Sequence, residues 1–237
     1  MHHLLRRKIV LILLSFVFFS TAARAQLFEP NQESHDDKPY HFGINFGYNQ
    51  SHFNFNHSAR FLQYDSITDV ESINNPGINL AWLVNVRVSN HFDIRVHPLD
   101  LTFSEKAFLY TQKYDPETSV TQKVQSITLS FPFDVAFSSD RINNFKVYAL
   151  AGAKYDYDLA SNKGARNAED QVKLNQSDLS AEVGLGFHFY FPFFVLSPEI
   201  KISDGITNLH APDPTLKYSN VIDKINSRMV TFSLTVE

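Results

Sequence analysis

The sequence contains no cysteine. This absence excludes disulfide bonds, thiolate-ligated metal sites, cysteine nucleophiles and a lipid anchor on an N-terminal cysteine. A strong charge of one sign is also missing, because 21 basic residues stand against 25 acidic ones. No general affinity for nucleic acid follows from such a balance, and we expect no nucleic-acid partner.

Long apolar runs are scarce as well. The chain starts with basic residues 6–8, continues with the apolar stretch from Ile9 to Phe19, and has a small-x-small signal at residues 23–25. The apolar stretch is too short to span a bilayer as a helix, which argues against a membrane anchor. The pattern predicts a secretory signal peptide over residues 1–25, cleaved after Ala25. No later segment could form a transmembrane helix, but this does not exclude a β-barrel.

Residues 26–39 are polar and contain two prolines. They predict an unstructured lead-in, which would lie in the periplasm of an exported protein. No comparable linker and no repeat of fixed period follows, so we expect one domain over residues 40–237.

Apolar and polar residues alternate with a period of two along this domain, which is typical of β-strands. In the segment from Ile78 to Val88, for example, Trp82 and Val84 share a face that excludes Asn85 and Arg87. The pattern predicts eight strands, near 42–56, 78–88, 92–97, 127–137, 145–159, 179–189, 194–202 and 230–236. A change of phase near Asn49–His52 predicts a β-bulge in the first strand.

The connections between these strands alternate in length. Those near 57–76, 111–122, 160–176 and 203–227 are long, and those near 89–91, 138–144 and 190–193 are short. In an antiparallel up-and-down sheet, all the long connections fall at one end. Outer-membrane barrels have this asymmetry, with short periplasmic turns and longer external loops.

A soluble sandwich or a lipocalin-like barrel would also alternate, so periodicity alone does not decide. The apolar face is almost free of polar residues and ends in aromatic ones, as membrane barrels require. The other face mixes charge with small residues such as Gly152, Gly184 and Gly186, which suit a crowded lumen. The sequence therefore predicts an all-β fold, an eight-stranded antiparallel up-and-down transmembrane β-barrel in contact with outer-membrane lipid.

In the stretch FHFYFPFF at residues 187–194, the alternation of inward- and outward-facing side chains changes phase at Pro192. It predicts a tight periplasmic turn, with Phe187 and Phe189 facing outward on one strand and Phe194 on the next. Aromatic side chains at such a turn lie at headgroup depth, where they are favoured.

Charged residues of both signs occur on the face assigned to the lumen. They are Arg87, Asp93, Arg95, Asp134, Lys146, Lys154, Asp156, Asp158, Glu182, Glu199, Lys201 and, less clearly, Arg228. They could form a proton or ion path. A self-neutralising network is favoured instead, because buried charges must be paired and a barrel of eight strands has little open channel.

A catalytic site is not indicated. Ser180, Glu182 and His188 share a strand face, but at about 3.3 Å per residue Ser180 and His188 lie beyond hydrogen-bond reach. No histidine has a metal-type spacing such as HExxH, and Gly184-Leu185-Gly186 lies within a strand rather than before a helix. We therefore expect no catalytic, cofactor-binding or metal-binding residue, no cofactor and no enzymatic activity.

Several segments resemble the PorT family of outer-membrane proteins. They are DDKPYHFGINFGYNQ (36–50), LSFPFDVAF (129–137), NNFKVYALAGAKYDYDLASNK (143–163), VGLGFHFYFPFFVLSPEIKIS (183–203) and NVIDKINSRMVTFSLTVE (220–237). The resemblance implies an outer-membrane barrel of the type IX secretion system, which exports cargo with C-terminal sorting domains and is tied to gliding motility. It implies other secretion-system proteins as partners. Its motifs are strand signatures, so no functional residue carries over. The alternatives are a generic small outer-membrane barrel with an adhesion or structural role, or a lipid-modifying barrel enzyme.

Overall fold

The computed structural model describes residues 30–57, 67–112, 119–160, 174–211 and 222–237. The predicted signal peptide lies outside these residues. The described part contains a short 3-10 helix, Glu33–His35, and nine strands: β1 (Tyr40–His57), β2 (Ile67–Ile73), β3 (Asn75–Arg87), β4 (Phe92–Gln112), β5 (Ser119–Ser138), β6 (Phe145–Asp158), β7 (Ser177–Tyr190), β8 (Val195–Gly205) and β9 (Ile222–Val236). None of its helices is long and apolar enough to cross a membrane.

The strands form one antiparallel sheet that closes on itself. The order is β2-β4-β3-β1-β9-β8-β7-β6-β5, and β5 pairs with β4 to complete the ring. β3 pairs with the first part of β4, as far as Gly77↔Ser104. β2 pairs with the rest of β4, starting at Ile73↔Ala107. β2 and β3 therefore act as one wall strand interrupted at Asn74. In the described residues the wall is an eight-stranded closed barrel, which confirms the predicted fold.

The apolar face of the barrel wall is on the outside. On β7, Leu185 is 57% exposed whereas Glu182 is 4% exposed, and the same alternation runs through the neighbouring strands. A water-soluble barrel has the reverse arrangement, because apolar surface is buried away from water. An apolar exterior around a polar, charged interior is the arrangement of a transmembrane barrel.

The two ends of the barrel differ in the connections between their strands. The registers Tyr40↔Val86, Phe145↔Phe189 and Ile44↔Val236 place the connections 88–91, 139–144 and 191–194 at one end, together with the beginning of β1 and the end of β9. We call this the short-turn end, and in outer-membrane barrels it faces the periplasm. Part of the predicted long connections lies in 58–66, 113–118, 161–173 and 212–221, outside the described residues. Elsewhere those connections were predicted too long, because β2 lies within the first of them, and β5 and β9 begin at Ser119 and Ile222.

The turn at residues 191–194 is as predicted. β7 ends at Tyr190 and β8 begins at Val195, with Phe187 and Phe189 exposed on the outer face. Phe193 is 95% exposed at the tip of the turn. The aromatic cluster therefore lies at the edge of the apolar band, where a membrane interface favours aromatic rings.

Two further details of the strand predictions were wrong. β1 pairs with β9 without a shift through Asn49–His52, so the predicted bulge is not there; Phe53 is simply buried inside the barrel. β4 also runs beyond residue 97 to Gln112, and its register with β5 shifts between Val96 and Asp100. Pro98 lies in this irregular stretch, and a proline, which cannot donate to the sheet, is tolerated at such a bulge.

Candidate functional site

An ion pair crosses the middle of the lumen. Arg95 on β4 donates from Nη1 to Oε2 of Glu199 on β8 at 2.7 Å, and both side chains are at most 3% exposed. Tyr148 on β6 donates its hydroxyl to the same oxygen, also at 2.7 Å. In the ring of eight wall strands, β4 and β8 lie opposite each other. The pair therefore joins opposite walls and closes the lumen at this level.

Lysines extend this network along the barrel. Lys201 Nζ lies 3.5 Å from Glu182 and 3.6 Å from Asp134, and Lys154 Nζ lies 3.0 Å from Asp156. Lys154 and Lys201 share Glu182, which lies between them. Buried charges are tolerated when they are paired in this way. The arrangement fits the favoured prediction of a self-neutralising network.

Glycine makes room for the tyrosine of the network. A Cβ atom added at Gly186 would lie 2.3–2.8 Å from the ring atoms of Tyr148, which is too close for any real contact. Tyr148 also stacks on His188, with ring centroids 4.4 Å apart. The missing side chain at Gly186 thus lets an aromatic ring lie across the lumen, as the small residues of the inner face predicted.

Most of the predicted lumen charges do lie inside the barrel. Arg95, Asp134, Lys146, Lys154, Asp156, Glu182 and Glu199 are buried, as is Asp93, while Arg87, Asp158 and Lys201 are partly buried. Arg228 does not belong to this set, because it is exposed and pairs with the exposed Asp204. Asp100 was missed, although it is buried. The bulge near Pro98 reverses which residues of β4 face inward, so the alternation read from residues 92–97 could not place Asp100.

The candidate catalytic residues do not form a triad. Ser180, Glu182 and His188 are all buried on the inner face, but His188 Nδ1 lies 2.7 Å from the hydroxyl of Ser197 rather than near Ser180. His188 also stacks against Tyr148 inside the packed lumen. A nucleophile buried at this depth is out of reach of a lipid substrate.

The short-turn end is capped by residues 31–39, which we call the lead-in plug. Arg141, in the turn 139–144, donates to the carboxylate of Asp36 at 3.2 Å and to the carbonyl oxygen of Asn31, and it lies 3.6 Å above the ring of Tyr190. Tyr190 donates its hydroxyl to Asp36 at 2.9 Å. The described part of the lead-in is therefore structured, contrary to the prediction of an unstructured segment.

Ionisation in the plug favours its docking. Burial would raise the pKa of Asp36, but the hydrogen bond from Tyr190 and the charges of Lys146 and Arg141 hold that pKa below its usual value. The contribution of Asp36 is thus present at neutral pH and is lost as the pH falls through its lowered pKa. Burial, with the neighbouring His41, lowers the pKa of His35 to about 4, so its ring is neutral at pH 7.

Comparison with known proteins agrees with this architecture. Residues 25–211 match the family described as outer membrane protein beta-barrel domain. The chain belongs to this family. It is an outer-membrane protein, and the apolar exterior of its barrel is in contact with membrane lipid.

Solved outer-membrane barrels are similar at low identity, whereas no curated protein matches the chain. Neisserial surface protein A is 12% identical, with 84% of this chain and 99% of that chain covered and a TM-score of 0.45. The attachment invasion locus protein Ail of Yersinia pestis, solved with the heparin analogue sucrose octasulfate, is 17% identical, with 82% and 96% covered and a TM-score of 0.41. OprG from Pseudomonas aeruginosa is 12% identical, with 82% and 93% covered and a TM-score of 0.44.

The plug of this outer-membrane barrel depends on Arg141. We expect Arg141→Ala to accelerate amide hydrogen exchange over residues 31–38 roughly tenfold or more, because each hydrogen bond from a charged group contributes about 1.5–3 kcal/mol. Exchange followed by mass spectrometry on the purified barrel would measure this. Arg228→Ala, which removes an arginine at the opposite end, should leave these residues unchanged. Equal exchange in all three proteins would show that Arg141 does not hold the plug.

Proposed function

We propose that this outer-membrane barrel supports protein export by the type IX secretion system as a non-enzymatic component. The observation that carries the proposal is the filled lumen, in which Arg95 and Glu199 join opposite walls and Lys201 links β8 to β5 and β7. A barrel without an open lumen acts through its rims and loops. The resemblance of its strand segments to the PorT family supports the choice of secretion system.

The two rims offer different contacts to partners. The short-turn end presents the lead-in plug, docked through Asp36 and Arg141. The predicted long connections belong to the opposite end in this proposal, and surface loops on a rigid scaffold commonly provide binding sites. In this proposal the partners are other secretion-system proteins, bound at one or both rims, and cargo crosses the membrane elsewhere.

Conductance tests the filled lumen directly. We expect the purified barrel in a planar bilayer to show no steady stepwise current, because paired charges fill its interior. The measurement is single-channel recording at neutral pH with the full chain. A large and persistent open-channel current would contradict a role that depends on a closed barrel.

Deletion of the gene tests the secretion role. Cargo with C-terminal sorting domains should accumulate inside the cell, and wild-type protein expressed in trans should restore its export. Cell fractionation followed by immunoblotting of one cargo protein measures this, with a periplasmic protein as the control for leakage. Normal export would refute the proposal. If export were intact and lipid A profiles changed, a lipid-modifying enzyme would be indicated; if both were normal, a structural or adhesion role would be.

A further inference from the structure

Three potential ligands meet beneath the lead-in plug. His35 belongs to the plug, His41 lies on the second residue of β1, and Glu237 follows the end of β9. One ligand atom from each lies within 4.8 Å of the other two. The neighbouring registers of β1 and β9, with Ile44 opposite Val236, bring the last two side chains together.

The same three side chains hold atoms that lack a protein partner. His35 Nδ1, His41 Nδ1 and Glu237 Oε1 are all buried and form no hydrogen bond within the described residues. A buried polar atom without a partner is costly. Other buried polar atoms of the described lumen also lack a protein partner, but these three belong to side chains that together can bind one ion.

We propose that these residues form a site for a divalent transition-metal ion, with Zn²⁺ the ion that best suits the ligands. Two imidazoles and one carboxylate form a ligand set known from zinc sites, in which a water molecule completes the coordination. The prediction of no metal site rested on spacing along the sequence, which does not test residues that meet only in the fold.

The surroundings of His41 are those of a metal ligand. Its Nε2 lies 2.7 Å from the carbonyl oxygen of His35, so Nε2 carries the proton and Nδ1 presents its lone pair. Metal-binding histidines commonly donate their second ring nitrogen to a backbone carbonyl in this way. Gly43 makes room for the third ligand, because a Cβ atom there would lie 2.8 Å from Cγ of Glu237.

Binding requires a small rearrangement. The rings of His35 and His41 are stacked, with centroids 4.0 Å apart and planes at 12°. Zinc–nitrogen bonds of about 2.0–2.1 Å place tetrahedral ligand atoms roughly 3.3 Å apart. One ring must therefore turn, and the ligand atoms, which lie within 4.8 Å of one another, must close by up to about 1.5 Å. His35 is the ring that turns, because it lies on a short 3-10 helix and not in the wall.

The space between the ligands fits a small cation. The ligands border a cavity of about 20 Å³, enough for one ion or water molecule. Three carboxylates, Asp36, Asp93 and Glu237, face this cavity, against two cations, Arg87 and Lys146. Arg141 also pairs with Asp36, so the charges around the cavity balance, and the donor atoms of the three ligands are what favour a cation. Once bound, the ion would fasten the plug to the first and last wall strands, whatever the role of the barrel in secretion.

Zinc titration of the full chain in detergent micelles tests the site. Calorimetry should give one Zn²⁺ per barrel, and His35→Ala and Glu237→Gln should each weaken binding at least about tenfold, as loss of even a supporting residue does at metal sites. His91→Ala removes another histidine at the short-turn end and should bind as wild type. The shift in gel mobility between unboiled and boiled samples confirms that each variant is folded.

Hydrogen exchange provides a second measurement, which reports where the bound ion acts and not only how tightly it binds. Zn²⁺ should slow exchange over residues 31–38 in the wild type and in His91→Ala, and should have no effect in His35→Ala. Absence of stoichiometric binding would overturn the proposal. So would zinc binding that persists unweakened in folded His35→Ala and Glu237→Gln, since the ion would then be held elsewhere.

Discussion

Replacing Glu199 with alanine is expected to destabilise the folded barrel by about 3–5 kcal/mol, because removing one partner of a buried ion pair leaves the other charge unpaired. Arg95 would remain 2% exposed at the centre of the lumen, without its 2.7 Å bond. The hydroxyl of Tyr148 would lose its acceptor as well. Reversible unfolding in lipid vesicles by a chemical denaturant measures the difference.

A double replacement distinguishes the contribution of the ion pair itself from the cost of leaving one buried charge unpaired. Arg95→Met combined with Glu199→Leu should recover most of the stability, since buried ion pairs are commonly matched by apolar groups of similar volume. Arg228→Ala, which breaks an exposed pair with Asp204, should leave stability unchanged within error. If Glu199→Ala were as harmless as Arg228→Ala, the Arg95–Glu199 pair would not hold the opposite walls together.

The wall of the barrel was predicted well from the sequence because the side-chain period of a strand is two and each face accepts only one class of residue. Residues such as Leu185 and Val183 meet lipid, and Glu182 and Ser180 meet a crowded lumen, so an error of one position would be costly on either side. The same rule explains the failure at Pro98. A bulge shifts the phase of the inward–outward alternation, and the alternation on either side of the bulge does not predict that shift.

The partners inside the lumen could not be predicted in the same way. Alternation places Arg95 and Glu199 on the inner face, but only the order and register of the closed sheet set them opposite each other. The plug is harder still, because its polar, proline-containing sequence has no period. Its structure comes from tertiary contacts with Arg141 and Tyr190, more than a hundred residues away.

The lipid-facing wall has an equally sharp test in Leu185→Arg. Leu185 is 57% exposed on β7, between Ala149 of β6 and Ile200 of β8, well inside the apolar band. An arginine near the midplane of the bilayer should cost about 2–4 kcal/mol of folding free energy, because its charge must leave water or distort the lipid. Denaturant unfolding in vesicles of defined lipid would measure this cost.

The matched control is Phe193→Arg at the tip of the turn 191–194. Phe193 is 95% exposed at the edge of the barrel, where the cost of an arginine falls to about 0–1 kcal/mol. A large difference between the two variants follows only if lipid surrounds the wall, since depth in a membrane is what distinguishes the two sites. If both variants were equally stable, and the protein stayed in solution without detergent, the outer face would be exposed to water instead of lipid.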